Sequence, residues 1–113
     1  MSFACQTIDF KDLLKCSFDL NKTEYRLFMY LLDQTDSLSV SAIGEATGKD
    51  RTTVQKAMKK LIEQNIVHKH QVNLDQGGYT FVYAIKDKEF LRRRMLSVVE
   101  HWYNQVMVEI NKW

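Results

Sequence analysis

A single residue, Lys49, stands between a glycine suited to end one helix and an aspartate suited to begin the next. Gly48 lacks a Cβ and can enter the left-handed conformation in which helices commonly terminate. Asp50 can accept hydrogen bonds from the free N–H groups of a first helical turn. Ahead of Gly48, Ser39 reads as a helix cap, with Leu38 and Ile43 at the spacing of a hydrophobic staple. Val40, Ile43 and Ala46 are expected to face inward. Beyond Asp50, Val54, Ala57, Met58, Leu61 and Ile62 follow the i, i+3, i+4, i+7, i+8 pattern, predicting a helix to Gln64 with those residues as its buried stripe. Two helices joined this tightly must cross steeply. That crossing organises the chain from Leu38 to Ile85.

Asn65 tolerates the left-handed conformation that would end the second helix. From Ile66 the period becomes alternating. Ile66, His68, His70, Val72 and Leu74 share one face, and Val67, Lys69, Gln71 and Asn73 the other. Asp75-Gln76-Gly77-Gly78 supplies a turn, and Tyr79, Phe81, Tyr83 and Ile85 line one face of the returning strand. A short helix, a tight turn, a longer basic helix and a hairpin, in that order, are the sequence form of a winged helix-turn-helix.

The flanks extend this frame. Asn21 and Glu24 sit at capping-box spacing, with Leu20 and Tyr25 placed as a staple. Tyr25, Phe28, Met29, Leu31 and Leu32 then give one broad apolar face, and residues 33–37 form a polar exit. Residues 1–19 hold Ile8, Phe10, Leu13, Leu14 and Phe18, read as a brief helix over Phe10–Cys16. Asp87 can cap a last helix of about 26 residues, ~39 Å long, to about Trp113. Its stripe is Leu91, Met95, Val98, Trp102, Val106 and Ile110, widened by Leu96, Val99, Tyr103 and Met107. So broad a terminal apolar face predicts half of a subunit interface, centred on Leu91, Met95, Val98, Val99, Trp102, Val106 and Ile110. The fold expected is mainly α with a small β-hairpin wing and a long C-terminal dimerisation helix. It is read as a single domain, 1–113, comprising a 1–19 extension, the 20–86 winged helix-turn-helix and the 87–113 helix.

Charge points to the second helix of the tight pair. The 113-residue chain carries a net charge of only +2, so it is no polycation. Yet Lys49, Arg51, Lys56, Lys59 and Lys60 face a single acid, Asp50, in twelve residues, a net +4. Arg51, Thr52, Gln55 and Lys56 suit base edges, since Arg pairs with guanine, Gln with adenine, and Thr touches a thymine methyl. Lys49, Lys59, Lys60 and Lys69 suit phosphates, and Ser39 and Thr53, in the first turns of the two helices, are expected to join them. The plainer alternative is a solvated basic helix used for protein contact.

Other features exclude more than they suggest. The N-terminus has acids where a secretory signal needs a basic region, and no run nears the ~18 apolar residues of a membrane span, so a cytoplasmic protein is expected. Cys5 and Cys16 lack metal spacing and read as reduced, unpaired thiols. His68 and His70 point the same way but lack further ligands, so no metal is expected. Arg92, Arg93 and Arg94 fan over about 200° of helix and make no single surface. Trp102, Tyr103 and Trp113 read as dimer core before ligand pocket. No Gly-rich phosphate loop, HExxH motif or serine elbow is present, so neither catalysis nor a cofactor is expected.

Ile43, Gly44, Gly48, Thr53, Val54, Met58 and Leu61 closely resemble the helix-turn-helix pattern of the MarR and TrmB-like winged-helix regulators, over about residues 20–86. The resemblance implies sequence-specific binding to double-stranded DNA as a homodimer that regulates transcription, with repression by promoter blocking the simplest mechanism. It identifies no small-molecule effector. Two departures matter. Asn65 replaces the usual glycine before Ile66-Val67. The wing tip, Asp75 to Tyr79, lacks the arginine that many relatives direct into the minor groove, which argues against strong minor-groove readout. The chain also ends too early for the sugar-sensing domain of full-length TrmB proteins. The rival reading is a winged-helix protein-interaction module in a larger assembly, using the Tyr79–Ile85 strand face or the last helix.

Overall fold

In the computed structural model, which describes residues 2–3, 6–7 and 9–113, ten elements follow one another. They are β1 (Ser2–Phe3), β2 (Gln6–Thr7), α1 (Phe10–Phe18), α2 (Lys22–Leu32), β3 (Leu38–Ser39), α3 (Val40–Thr47), α4 (Arg51–Glu63), β4 (Val67–Asn73), β5 (Tyr79–Ile85) and α5 (Lys88–Lys112). Cys5 and Ile8 lie outside the described residues. Two compact units result: one spans Leu20–Asp87, and the other joins the described part of 1–19 to Lys88–Trp113. No described helix is long and apolar enough to cross a membrane.

The Leu20–Asp87 unit is a winged helix-turn-helix. Each helix starts where a side chain satisfies a first-turn N–H. Asn21 and Glu24 form the reciprocal capping box, with Glu24 N–H donating to Asn21 Oδ1 at 2.8 Å and Asn21 N–H donating to Glu24 Oε1 at 2.9 Å. Ser39 Oγ accepts from Ala42 N–H at 3.1 Å, and Asp50 Oδ1 from Thr53 N–H at 2.7 Å. The turn between α3 and α4 is as tight as the spacing requires. Gly48 has φ +72°, and Gly48 N–H and Lys49 N–H both donate to Gly44 O. A Cβ on Gly44 would lie 2.7 Å from Lys49 O, so α3 admits this turn because that position has no side chain.

The core of this unit gathers Leu27, Phe28, Ile43, Val54, Met58, Leu61 and Ile66, all below 2% exposed. Burying such side chains contributes roughly 1.5–3 kcal/mol each, which fixes the rotation of every helix about its axis. Three expectations are corrected. Ala46 is exposed, and Gly44 takes the inward place. Ile62 is 36% exposed, because eight residues after Val54 the helix has drifted about 80° out of register. On α2, Leu27 joins Phe28 and Leu31 in the core, while Tyr25, Met29 and Leu32 are half-buried.

Helix α4 ends in a Schellman motif with asparagine in the glycine place. Asn65 has φ +65°, its N–H donates to Ile62 O, and Ile66 N–H donates to Leu61 O. Leu61 and Ile66, both fully buried, form the accompanying apolar contact positions. Lys86 Nζ donates to Asn65 Oδ1, tying the end of the wing to its beginning.

The wing is a three-stranded antiparallel sheet in the order β3-β5-β4. The register pairs Val67 with Ile85, Lys69 with Tyr83, Gln71 with Phe81 and Asn73 with Tyr79. The aromatic face of β5 therefore lies on the Lys69 side of the hairpin, and His68 and His70 lie on the other. Gly77 and Gly78, at φ +93° and +81°, close the turn. The third strand, Leu38↔Tyr83 and Ser39↔Val82, was not expected, since two residues carry no readable period.

In the second unit, β1 pairs with β2 antiparallel. Helix α1 packs on α5 and runs two residues past the expected end, to Asp19 in the left-handed conformation at φ +53°. Leu14 and Phe18 are buried, and the Arg94 guanidinium lies 5.0 Å over the Phe18 ring. Helix α5 buries Leu91 alone.

Candidate nucleic-acid interface

The four buried residues of α4 lie on one side, so the opposite side is open by construction. Steps of about 100° place Arg51, Gln55, Lys59, Thr52 and Lys56 within an arc of about 140°. All five are exposed. Lys60 and Thr53 flank that arc and are half-buried. The structure thus brings the four expected base-reading residues together on one strip, with Lys59 continuing it.

At the head of the strip, Asp50 is the one acid among these cations. Its hydrogen bonds from Thr53, with Lys56 and Lys49 nearby, hold its carboxyl below the usual aspartate value near 3.8. It is therefore ionised at neutral pH and committed to capping. Of the expected phosphate partners, Ser39 is half-buried and its Oγ caps α3. Thr53 gives its N–H to Asp50, and Lys49 gives its N–H to Gly44. A shallow hollow of about 210 Å³ sets Thr53 and Lys56 beside Asn21, Thr23 and Glu24 at the start of α2.

The larger concavity in this unit was not foreseen. A groove of about 370 Å³ runs between α4 and the wing. Helix α4 supplies Arg51 and Gln55; the start of α3 supplies Ser39, Val40 and Ser41; β5 supplies Tyr79, Thr80, Phe81 and Tyr83. Among the described residues, no Asp or Glu lines it. Burial raises the Tyr83 phenol above its usual value near 10, and the positive charge of Arg51 partly offsets that. Lys69 Nζ sits 4.0 Å over the Phe81 ring, and Tyr79 meets Phe81 edge-to-face at 5.5 Å. The β5 alternation was legible in the sequence. That this aromatic face opens beside Arg51 and Gln55 follows from the crossing of distant segments.

On the other wing face, the His68 and His70 rings meet edge-to-face at 4.3 Å. Burial, then the charges of His70 and Lys86, lowers the His68 pKa below 6.5. Among the described residues no cluster of three or more His, Cys, Asp or Glu could hold a metal.

In the second unit, the expected subunit-contact stripe on α5 is largely open. Val99, Trp102 and Ile110 are exposed, Met95, Val98 and Val106 half-buried, and Leu91 is already covered within the protomer. Phe10 and Leu13 of α1 with Met95, Leu96 and Val99 of α5 line an apolar cleft of about 280 Å³. Arg92 pairs with Glu89 at 3.3 Å and Arg94 covers Phe18, so the arginine run is dispersed as its spacing implies. Cys16 is exposed and free.

Comparison with known proteins places this geometry. Residues 14–89 match the family described as sugar-specific transcriptional regulator TrmB. An uncharacterized protein of Methanocaldococcus jannaschii is 31% identical over 103 residues, covering 91% of this chain and 81% of that protein. A solved structure described as a possible transcriptional regulator from Methanosarcina mazei Go1 is 30% identical, with a TM-score of 0.88 over 100% of this chain and 95% of that one. The MepR–DNA complex of Staphylococcus aureus shares the fold at 17% identity and a TM-score of 0.56, covering 88% of this chain and 81% of that one.

Proposed function

From the premise that the chain belongs to the TrmB family of transcriptional regulators, we propose that it binds double-stranded DNA sequence-specifically as a homodimer and represses transcription by occupying promoters. Helix α4 enters the major groove. Arg51, Thr52, Gln55 and Lys56 meet base edges, while Lys49, Lys59, Lys60 and Lys69, with the first turns at Ser39 and Thr53, meet phosphates. The observation that carries this reading is the arrangement of α4. Its apolar side is locked into the core, and its opposite side is a continuous basic and amide-bearing strip beside the wing. MepR, which shares the fold, was solved in complex with DNA, which supports DNA as the ligand.

Two protomers joined through α5 present their α4 helices to successive major grooves, about 34–36 Å apart, which favours a pseudo-palindromic operator. Fluorescence anisotropy of labelled duplexes, including the gene's own upstream region, tests the reading across a salt series. Wild type is expected to weaken steeply with salt, and Arg51→Ala/Lys56→Ala to give a flatter slope. Arg51→Ala alone is expected to cost roughly 1–3 kcal/mol on the preferred sequence. Absence of duplex binding at low salt by folded protein overturns the proposal and points to a protein partner.

A further inference from the structure

From Leu96 onward, α5 carries a second periodicity inside its broad apolar face. Leu96, Val99, Tyr103, Val106, Ile110 and Trp113 follow one another in steps of three, four, three, four and three. That is heptad spacing, at which an apolar seam keeps facing one partner helix over several turns. Five of the six are exposed, and Val106 is half-buried. The apolar cleft of about 280 Å³ lies on this seam. Helix α5 gives it Arg92, Met95, Leu96 and Val99, and α1 gives it Phe10 and Leu13. Positions i, i+3, i+4 and i+7 of a helix make the four-residue hole that accepts one knob of a facing helix. Phe10 and Leu13 add a wall that the helix alone lacks and suit the hole to a large knob. The largest seam residue is Trp113, which is 106% exposed. It stands about 21 Å beyond Val99 on the same helix, so it cannot fill the cleft of its own protomer.

We infer that the cleft of each protomer receives Trp113 of a second copy, with the two α5 helices paired antiparallel about a dyad between Asn104 and Gln105. This rests on the homodimer proposed above and gives it a register. Leu96 then faces the partner's Trp113, Val99 the partner's Ile110 and Tyr103 the partner's Val106, so all six seam residues are covered on both helices. Charge selects the same register. In an antiparallel pair, the residues on one flank of the seam face the same flank of the partner, and Glu100 and Glu109 lie on opposite flanks. Glu100 faces the partner's Met107, and Glu109 the partner's Trp102. Sliding the dyad one heptad toward the N-terminus sets Glu100 against the partner's Glu100. Sliding it one heptad the other way sets Glu109 against the partner's Glu109. A slide of two heptads leaves one end of the seam bare. A parallel pair brings residues 92–99 against themselves and leaves Trp113 outside both clefts.

The test uses the full chain with Cys5→Ser and Cys16→Ser, into which either Val99→Cys or Ile110→Cys is placed. The two single-cysteine proteins are treated with a short bifunctional maleimide, separately and after mixing to equilibrium. Crosslinked dimer is expected only in the mixture, because Val99 and the partner's Val99 stand about 16 Å apart along the axis. Trp102→Phe leaves Trp113 as the sole tryptophan. Its quenching by iodide is expected to fall several-fold as concentration rises through the monomer–dimer transition followed by sedimentation. Phe10→Ala, which removes a wall of the cleft, is expected to raise the dimer dissociation constant roughly tenfold at unchanged helix content. Crosslinking of either protein alone overturns the inference, as does a mixture that sediments as a dimer without crosslinking. Trp113 quenched as strongly in the dimer as in the monomer overturns it too. Wild type that sediments as a monomer at every concentration removes the dimer itself, and this inference with it. None of these readouts depends on DNA.

Discussion

At the scale of single residues, three positions within and at the ends of α3 and α4 carry more of the architecture than their size suggests. Gly48 and Asn65 both hold positive φ, and both read from the sequence as left-handed helix ends, at different steric cost. Gly48 announces itself by position, whereas Asn65 takes a glycine's place at the cost of about 1 kcal/mol or more in the left-handed region, with Lys86 bonded to its side chain. Gly44 is different again. It sits inside a helix with ordinary φ, and its need for hydrogen comes from Lys49 O folding back to 2.7 Å from where a Cβ would stand. That neighbour is backbone and cannot swing aside. Gly44→Ala is therefore expected to cost roughly 1–3 kcal/mol through overpacking, read as a lower urea midpoint at unchanged m-value. A midpoint equal to wild type shows that the turn can open without penalty.

At the scale of elements, α4 and the wing show where periodicity suffices and where it fails. The i, i+3, i+4, i+7 positions of α4 are all buried, but extending the pattern to Ile62 ignored the accumulated rotation of the helix. The hairpin strands were readable from alternation. Strand β3 was not, because it exists through pairing with Tyr83 and Val82, over forty residues away in the chain. The wing also carries a pH dependence. The folded state holds the His68 pKa below its ordinary 6.5, chiefly through burial and then through His70 and Lys86. The unfolded chain thus binds the proton more readily. Stability is fully present above about pH 6.5 and declines as the pH falls through that value toward the lower folded pKa. The lowered pKa of Asp50 acts in a separate window, below about 3.8. Urea midpoints measured from about pH 8 to about pH 5 should fall, and His68→Gln should flatten that decline. Identical pH profiles in the two proteins would exclude His68 as the cause.

At the scale of the whole molecule, the two units divide the labour expected of a dimeric regulator. The basic strip and the wing groove belong entirely to Leu20–Asp87, and the open apolar stripe belongs to α5. Leu96 at 67%, Ile110 at 58% and Trp113 at 106% exposure leave open apolar side chains on and just beyond α5, the surface that the proposed dimer covers. Trp102→Glu combined with Ile110→Glu is expected to shift the sedimenting species from a dimer to the 13.3 kDa protomer. Operator affinity is expected to fall with it, since two half-sites are then no longer held together. Wild type sedimenting as a monomer at micromolar concentration removes the dimer from the mechanism.

What the sequence determined by itself was local. Caps at Asn21, Ser39 and Asp50, the left-handed stop at Gly48, the turn at Gly77-Gly78 and the apolar stripe of α4 all follow from interactions within a few residues, which the chain order states directly. The charge asymmetry of residues 49–60 was equally plain, and with the helix-turn-helix spacing it led to the family. What the tertiary structure alone decided was which of those faces meet. The register of β4 on β5 put Lys69 over Phe81, the pairing of β3 closed the sheet, and the crossing of α3 and α4 set Arg51 and Gln55 across a groove from Tyr79. Those adjacencies join segments far apart in the chain, and their selection depends on packing the whole core at once, which no local spacing records.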